Sequence, residues 1–357
     1  MNEHKFPYNW TLKDAVFTKD KGKVFSCFAC GGGSTMGYKL AGFDVLGCNE
    51  IDPKMIEAYK TNHNPKYAFL EPIQTFKLRK DLPKELYDLD ILDGSPPCSS
   101  FSMAGNREKD WGKDKVFREG QAMQVLDTLF FDFIDLAKEL QSKIVVAENV
   151  KGLLMGEAKA YVIEIYKQFD LAGYHVQHFL LDAQKMGVPQ RRERVFFIAL
   201  RKDLSGKFME QKDMFTFLPK ITMEFNEKTI LFNKVYEKGN FENKLSDFYN
   251  DMWNNKKDSD TNFSDINGRE RNKPNTGFGT TFVNLNKVCG TLTAKKDCFC
   301  LHVEPRYLSN SEKSKIGSYP MDYKHNTDPG YLIGMSVPPV MTAQIASNIY
   351  DQWLSKL

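Results

Sequence analysis

Val24-Phe25-Ser26-Cys27-Phe28-Ala29-Cys30, followed at once by Gly31-Gly32-Gly33, is the stretch whose reading decides the fold. An apolar run broken by glycines and continued by helix-compatible sequence reads as strand, tight turn, helix. Working outward, Phe43 to Cys48 is a second strand closing on Glu50 and Asp52, and Asp90 to Asp93 is a third, ending at a Gly-Ser-Pro-Pro turn. Leu129 to Leu140 places apolar residues at helical spacing, Ile144 to Ala147 is again a strand, and Ile163 to Ala172 a helix. His175 to Leu181 and Val195 to Leu200 read as strands separated by a basic loop. Strands alternating with helices to about residue 200 predict an α/β fold with a Rossmann-like, doubly wound, mostly parallel sheet.

After residue 200 the texture changes. To about residue 285 the chain is rich in Phe, Asn, Lys and Asp with little periodicity, which predicts a small irregular domain or long binding loops. The expected division is a catalytic and cofactor-binding domain at 1–200, a smaller recognition domain at 201–325, and a C-terminal segment at 326–357. The helix of that last segment, Pro338 to Leu357, opens on Pro-Pro and packs back on the first domain. Residues 1–22 read as an N-terminal extension or a short helix.

Composition narrows the class. Of 357 residues, 41% are hydrophobic and 27% charged, too apolar for a disordered chain. No apolar run is long enough to span a bilayer, and the N-terminus lacks a signal-peptide hydrophobic region, so a cytoplasmic location is expected. Seven scattered cysteines, an odd count, argue against a disulfide framework. Cys27 with Cys30 and Cys298 with Cys300 lack a partner His spacing, and no metal is expected. The net charge of +3 permits a nucleic-acid partner without arguing for one.

Gly31, Gly32, Gly33 and Gly37 follow a strand and open a helix, where backbone can approach a ligand closely. Glu50 stands at the end of the next strand, the place from which an acidic side chain accepts ribose hydroxyls. The pyrophosphate fingerprint fails, because its last glycine would fall on Met36. A nucleoside ligand without a phosphate to cradle fits better, S-adenosylmethionine being the commonest. A tight structural turn beside a solvated Glu50 explains the same residues.

Asp93-Gly94-Ser95-Pro96-Pro97-Cys98-Ser99-Ser100-Phe101-Ser102 is the strongest local signal. Two prolines fix φ ahead of the cysteine and hold its thiol at a strand end, the edge where doubly wound folds bind ligands. A nucleophilic thiolate needs nearby positive charge. Arg107, Lys109, Lys113, Lys115 and Arg118, interleaved with Trp111 and Phe117, suit a loop closing over a phosphate backbone. A buried, inert cysteine is the ordinary alternative, and the Pro-Pro brace weighs against it.

These motifs resemble the DNA cytosine-5 methyltransferase family. Phe28 through Gly37 is similar to its cofactor-binding turn, and Ser95-Pro96-Pro97-Cys98 to its Pro-Cys motif. Glu148-Asn149-Val150 matches its Glu-Asn-Val motif, and Gln190-Arg191-Arg192-Glu193-Arg194 its Gln-x-Arg-x-Arg motif. Thr291-Leu292-Thr293 and Gly334-Met335-Ser336-Val337 are similar to later family segments. The resemblance implies catalytic roles for Cys98, Glu148, Arg194 and Arg192, and contacts to S-adenosylmethionine from Phe28, Gly31, Gly32, Gly33, Glu50, Ile51, Glu71, Pro97 and Ser336. It implies double-stranded DNA as partner, with contacts expected from Ser102, Arg107, Gln190, Asn275, Thr276 and Thr293. A monomer acting in a restriction-modification system beside a cognate restriction endonuclease, or as an orphan enzyme of a prokaryote or phage, follows as expectation.

The chemistry suits these residue types. Carbon 5 of cytosine is a poor nucleophile, so addition of the Cys98 thiolate at carbon 6 must first activate the ring. Protonated Glu148 can serve ring nitrogen 3, and Arg194 the exocyclic oxygen. The base must leave the stack for any of this. The chain departs from the family at Ser26 (usually Asp), Cys30 (usually Gly), Ser99 (usually Gln) and Met335 (usually Asn). Other readings are an RNA methyltransferase, a binding protein that has lost catalysis, and an unrelated thiol hydrolase.

Overall fold

The computed structural model describes residues 3–97, 114–115, 124–125, 128–156, 158–213, 216–239, 242–271, 279–295 and 297–357. Its first half alternates strand and helix: β1 (Lys23–Cys27), α1 (Gly33–Leu40), β2 (Asp44–Glu50), α2 (Pro53–His63), β3 (Tyr67–Leu70) and β4 (Ile91–Gly94). Then come α3 (Leu129–Leu140), β5 (Ile144–Val150), α4 (Ala158–Leu171), β6 (Tyr174–Asp182) and β7 (Glu193–Arg201). These seven strands form one sheet in the order β3-β2-β1-β4-β5-β7-β6. The first five run parallel, and β7 lies antiparallel to both its neighbours. The connection from Asp182 to Glu193 holds only a short 3-10 turn, Ala183–Lys185, so the chain returns antiparallel instead of crossing over.

Side chains alternate across the sheet and build two cores. Phe25, Leu92, Val145 and Phe197 face α3 and α4. Val24, Ile91, Ile144 and Ile198 face the opposite side with Tyr38 of α1 and Ile345 and Ile349 of the C-terminal helix, Pro339–Gln352. That helix lies directly on α1, and a Cβ on Gly37 would collide with the carbonyl of Pro339. The C-terminal helix expected from the Pro-Pro start therefore closes one face of the sheet.

Three features add to the sequence reading. The edge strand β3 is additional. Residues 3–22 form no helix; of the two readings they are the extension, and they strap the molecule. The Trp10 indole donates to Ser318 O at 2.9 Å, and the Leu12 and Lys13 amides donate to the Asp322 carboxylate at 2.7 and 3.1 Å. The separate core is also smaller than 201–325. Met252, Phe263, Ile266, Phe282 and Cys300 form it, around the helices Asp247–Asn254 and Phe263–Arg271 and the parallel pair Thr281–Val283 and Phe299–Leu301. Ile221 and Met223 are buried with the sheet and the C-terminal helix, and Phe232 and Val235 with Met36 and Met55. These four side chains therefore pack outside that small core.

Candidate active site

The carboxyl ends of the parallel strands lie side by side. Cys27 is in register with Asn49 and Gly94, and Asp93 with Val146, so the glycine turn, Glu50, the Pro-Pro segment and Glu148 share one edge. The turn itself is sharply wound. Phe28, Cys30 and Gly32 all have positive φ, at 52°, 49° and 85°. Phe28 is half-buried and meets Phe133 edge-on at 6.3 Å.

Glu50 pins this turn. Its carboxylate accepts from Cys30 N at 2.7 Å on one oxygen, and from Ile51 N and Asp52 N at 2.8 and 2.9 Å on the other. Burial raises its pKa above the usual carboxylate value, against the pull of those amides. Three donors on about four acceptor sites leave one for a further donor. Ile51 is half-buried beside it. Glu71, whose amide donates to Glu50 O at 3.2 Å, has its carboxylate engaged by Arg79 at 2.9 Å and Thr75 at 3.2 Å. That ion pair competes with the role expected for Glu71 toward an adenine amino group.

The glycines serve packing at this turn, as the structural-turn alternative of the sequence reading had it. A Cβ on Gly32 would strike the His63 ring, one on Gly31 the Leu332 side chain at 2.7 Å, and one on Gly33 the Val337 carbonyl. Tyr323 OH donates to Gly31 O. Ser336 is buried against this turn, and its hydroxyl is spent on Leu332 O at 2.8 Å. Burial lifts the Cys30 thiol to about 12.

At the same edge, Glu148 on β5 and Arg194 on β7 form an ion pair, Nε to Oε1 3.0 Å, with side chains 13% and 16% exposed. Burial lowers the Arg194 pKa, opposed by Glu148. Asn149 is buried, and its amide donates to Pro96 O at 3.1 Å while its oxygen accepts from Val150 N at 2.8 Å. The Glu-Asn pair thus directs one side chain to Arg194 and ties the other to the Pro-Pro segment. Pro96 is buried and Pro97 half-buried. Cys98, Ser99, Ser102, Arg107, Asn275 and Thr276 lie outside the described residues.

Residues 22–351 match the family described as C-5 cytosine-specific DNA methylase. The chain belongs to that family. It is similar to the Type II methyltransferase M.FnuDI of Fusobacterium nucleatum, with 37% identity over 184 residues, 51% of this chain and 48% of that protein. It is also similar to the Type II methyltransferase M.NgoPII of Neisseria gonorrhoeae, 36% over 201 residues and 54% of each chain. The orphan methyltransferase M.SPRI of Bacillus phage SPR is 33% identical over 163 residues, 46% of this chain and 34% of that one. The chain spans about half the length of the first two relatives. Among solved structures, a protein described as a DNA modification methyltransferase from an E. coli prophage superposes with a TM-score of 0.64 at 20% identity, covering 92% of this chain and 99% of that one. Spodoptera frugiperda DNMT2 gives 0.59 at 17%, covering 90% and 98%. At those identities the likeness is one of fold.

Within this chain, two motif residues are struts. Arg192 is 3% exposed, and its guanidinium donates to Leu292 O at 2.9 Å, Gly334 O at 2.9 Å and Ser336 O at 3.1 Å. Burial and neighbouring Arg194 push it down to about 9. Those three bonds tie Arg192 to backbone, while its Nε is buried with no hydrogen-bond partner among the described residues, so the structure shows Arg192 as a strut and its expected catalytic role stays a proposal. Gln190, expected at DNA, is 1% exposed. It accepts from Leu292 N at 2.8 Å and donates to Ile316 O at 3.3 Å. Together they fasten β7 to the 289–292 segment and the C-terminal segment. Thr293 is exposed beside that junction. Sequence reasoning passed over Asn149 and Asp93, although both stand inside motifs that it quoted.

Proposed function

We propose that the protein is a DNA methyltransferase acting on carbon 5 of a cytosine swung out of duplex DNA. One observation carries the reading. The Glu148–Arg194 pair, 3.0 Å apart, stands at the same strand edge as the Pro-Pro segment that leads into Cys98. A cytosine entering that edge would exchange the ion pair for two contacts, Arg194 on its exocyclic oxygen and Glu148 at ring nitrogen 3. Glu148 holds the proton at nitrogen 3 as Cys98 adds to carbon 6, and loss of the carbon-5 proton later frees the thiol. Asn149 keeps the Pro-Pro segment at the end of β5 and so limits where Cys98 can stand.

S-adenosylmethionine fits the residues at the glycine turn. Glu50 has an acceptor site left for a ribose hydroxyl, and Phe28, Ile51 and Leu70 offer half-buried or exposed apolar surface beside it. When bound, it supplies the methyl group for carbon 5. The DNA contacts are assigned to the loop after Cys98, with Ser102 and Arg107, and to Asn275, Thr276 and Thr293 of the recognition region. The curated relatives include Type II and orphan phage enzymes, which supports a modification enzyme working alone or beside a separate endonuclease.

The test is transfer of labelled methyl from S-adenosylmethionine to defined duplexes, followed by nucleoside analysis. Label should appear as 5-methylcytosine and vanish in Cys98→Ala. Label on adenine or on the cytosine amino group would refute the proposal.

A further inference from the structure

The buried carboxylate of Asp93 is used by nothing described so far. It is 4% exposed and lies in β4, five residues before Cys98, directly paired with Ser26 of β1 and Val146 of β5. One oxygen accepts from Ser26 Oγ at 3.0 Å and Ser34 Oγ at 2.7 Å, and the other from Tyr38 OH at 3.1 Å. Ser34 and Tyr38 are one turn apart on α1, so they present their hydroxyls to one point. The network continues from Ser26 to Thr35 at 3.5 Å and from Thr35 to Tyr59 of α2 at 2.9 Å. Among the described residues Asp93 has no cationic partner.

An ionised carboxylate buried without a cation is costly, and a purely packing role at this place would be filled better by an apolar side chain. What the carboxylate does uniquely is accept from all three hydroxyls at once. An amide would turn two N–H groups on them and force at least one hydroxyl to reverse. We propose that Asp93 is a positioning residue for methyl transfer, clasping α1 and β1 so that the segment leading to Cys98 stays in register with the glycine turn. Glu148 of β5 shares its face of the sheet, and among the described residues Cys27 of β1, Tyr38 of α1 and Tyr59 of α2 are the other titratable groups within its field. Burial pushes Asp93 up to about 6, so above that pH its charge draws on all three hydroxyls.

This role rests on the methyltransferase reading. The experiment compares the parent protein, Asp93→Asn and the exchange Ser26→Asp/Asp93→Ser at pH 8, with saturating cognate duplex and a titration of S-adenosylmethionine. Because positions 26 and 93 face each other across paired strands, the exchange returns a carboxylate to the same hydroxyl cluster from next door. Asp93→Asn should keep the parental circular dichroism yet lose about 10- to 100-fold in kcat, the scale of a small misplacement of reacting groups. The exchange should recover at least part of that loss, and should do so even if Asp93→Asn alone fails to fold. An active parent whose Asp93→Asn variant keeps parental kcat and KM overturns the role of Asp93 alone. A folded exchange variant with no recovered kcat overturns it too, leaving Asp93 a purely structural group. A parent that transfers no methyl group overturns this inference together with the reading beneath it.

Discussion

Replacing Arg192 by Met separates a strut from a catalyst. The side chains are similar in length, but Met cannot supply the bonds to Leu292 O, Gly334 O and Ser336 O. Each buried carbonyl left without a donor costs about 1–3 kcal/mol. Part of that returns, because the guanidinium is itself costly to bury, as its fall to about 9 shows. The expected net loss is about 2–5 kcal/mol. With an m-value near ~3 kcal/mol/M, that lowers the urea midpoint by about 1 M. Arg192→Lys, with one ammonium for three carbonyls, should lose a smaller amount. Urea titrations followed by circular dichroism measure both, and methyl transfer well below the transition reports activity. An unchanged midpoint with transfer abolished in Arg192→Met would refute the strut and return Arg192 to the reacting groups.

Glu148→Gln should fold normally and lose roughly 100- to 10,000-fold in transfer, the range for a positioned acid or base, as a product assay will show. Gly32→Ala places a Cβ at φ 85° against the His63 ring, and the thermal midpoint should fall by several degrees. His63 and His325 are held neutral by burial, at about 3 and about 4. Only the unfolded chain protonates them between those values and its own value near 6.5, so their contribution is present above 6.5 and is lost as pH falls. Asp93, raised to about 6, acts oppositely between its unfolded value near 4 and 6. Urea titrations across pH 7 to 4 should show a net loss on acidification, at most about 1.4 kcal/mol per pH unit per proton, that flattens in His63→Gln.

Much of the parallel half was written in the pattern of apolar runs and glycines, because a strand buried on both faces is nearly continuous in hydrophobic residues. Tyr67–Leu70 escaped notice as an edge strand of four residues, too short to alternate. Ile221, Met223, Phe232 and Val235 escaped because single apolar anchors in an irregular stretch carry no period, yet each is buried outside the small core. At the site, residue type announced chemistry but not direction. Gln190, Arg192 and Arg194 are spaced by two, as if to share a face. Only Arg194 lies within β7, whereas Gln190 and Arg192 stand before it, beside Cys289 to Leu292, and bond that segment's backbone with their side chains. Asp93 looked like the polar end of a strand, and only the fold brings Ser26, Ser34 and Tyr38 to it.

In the proposed reaction the sulfur of Cys98 bonds transiently to the target ring. Incubating the protein and S-adenosylmethionine with a cognate duplex carrying 5-fluorocytosine tests it most directly, since fluorine at carbon 5 cannot leave as a proton. Intact mass should show one protein joined to one strand, and peptide mapping should place the bond on Cys98. Methylated DNA product formed by the unmodified duplex, with no adduct on the fluorinated one under the same conditions, would contradict the account.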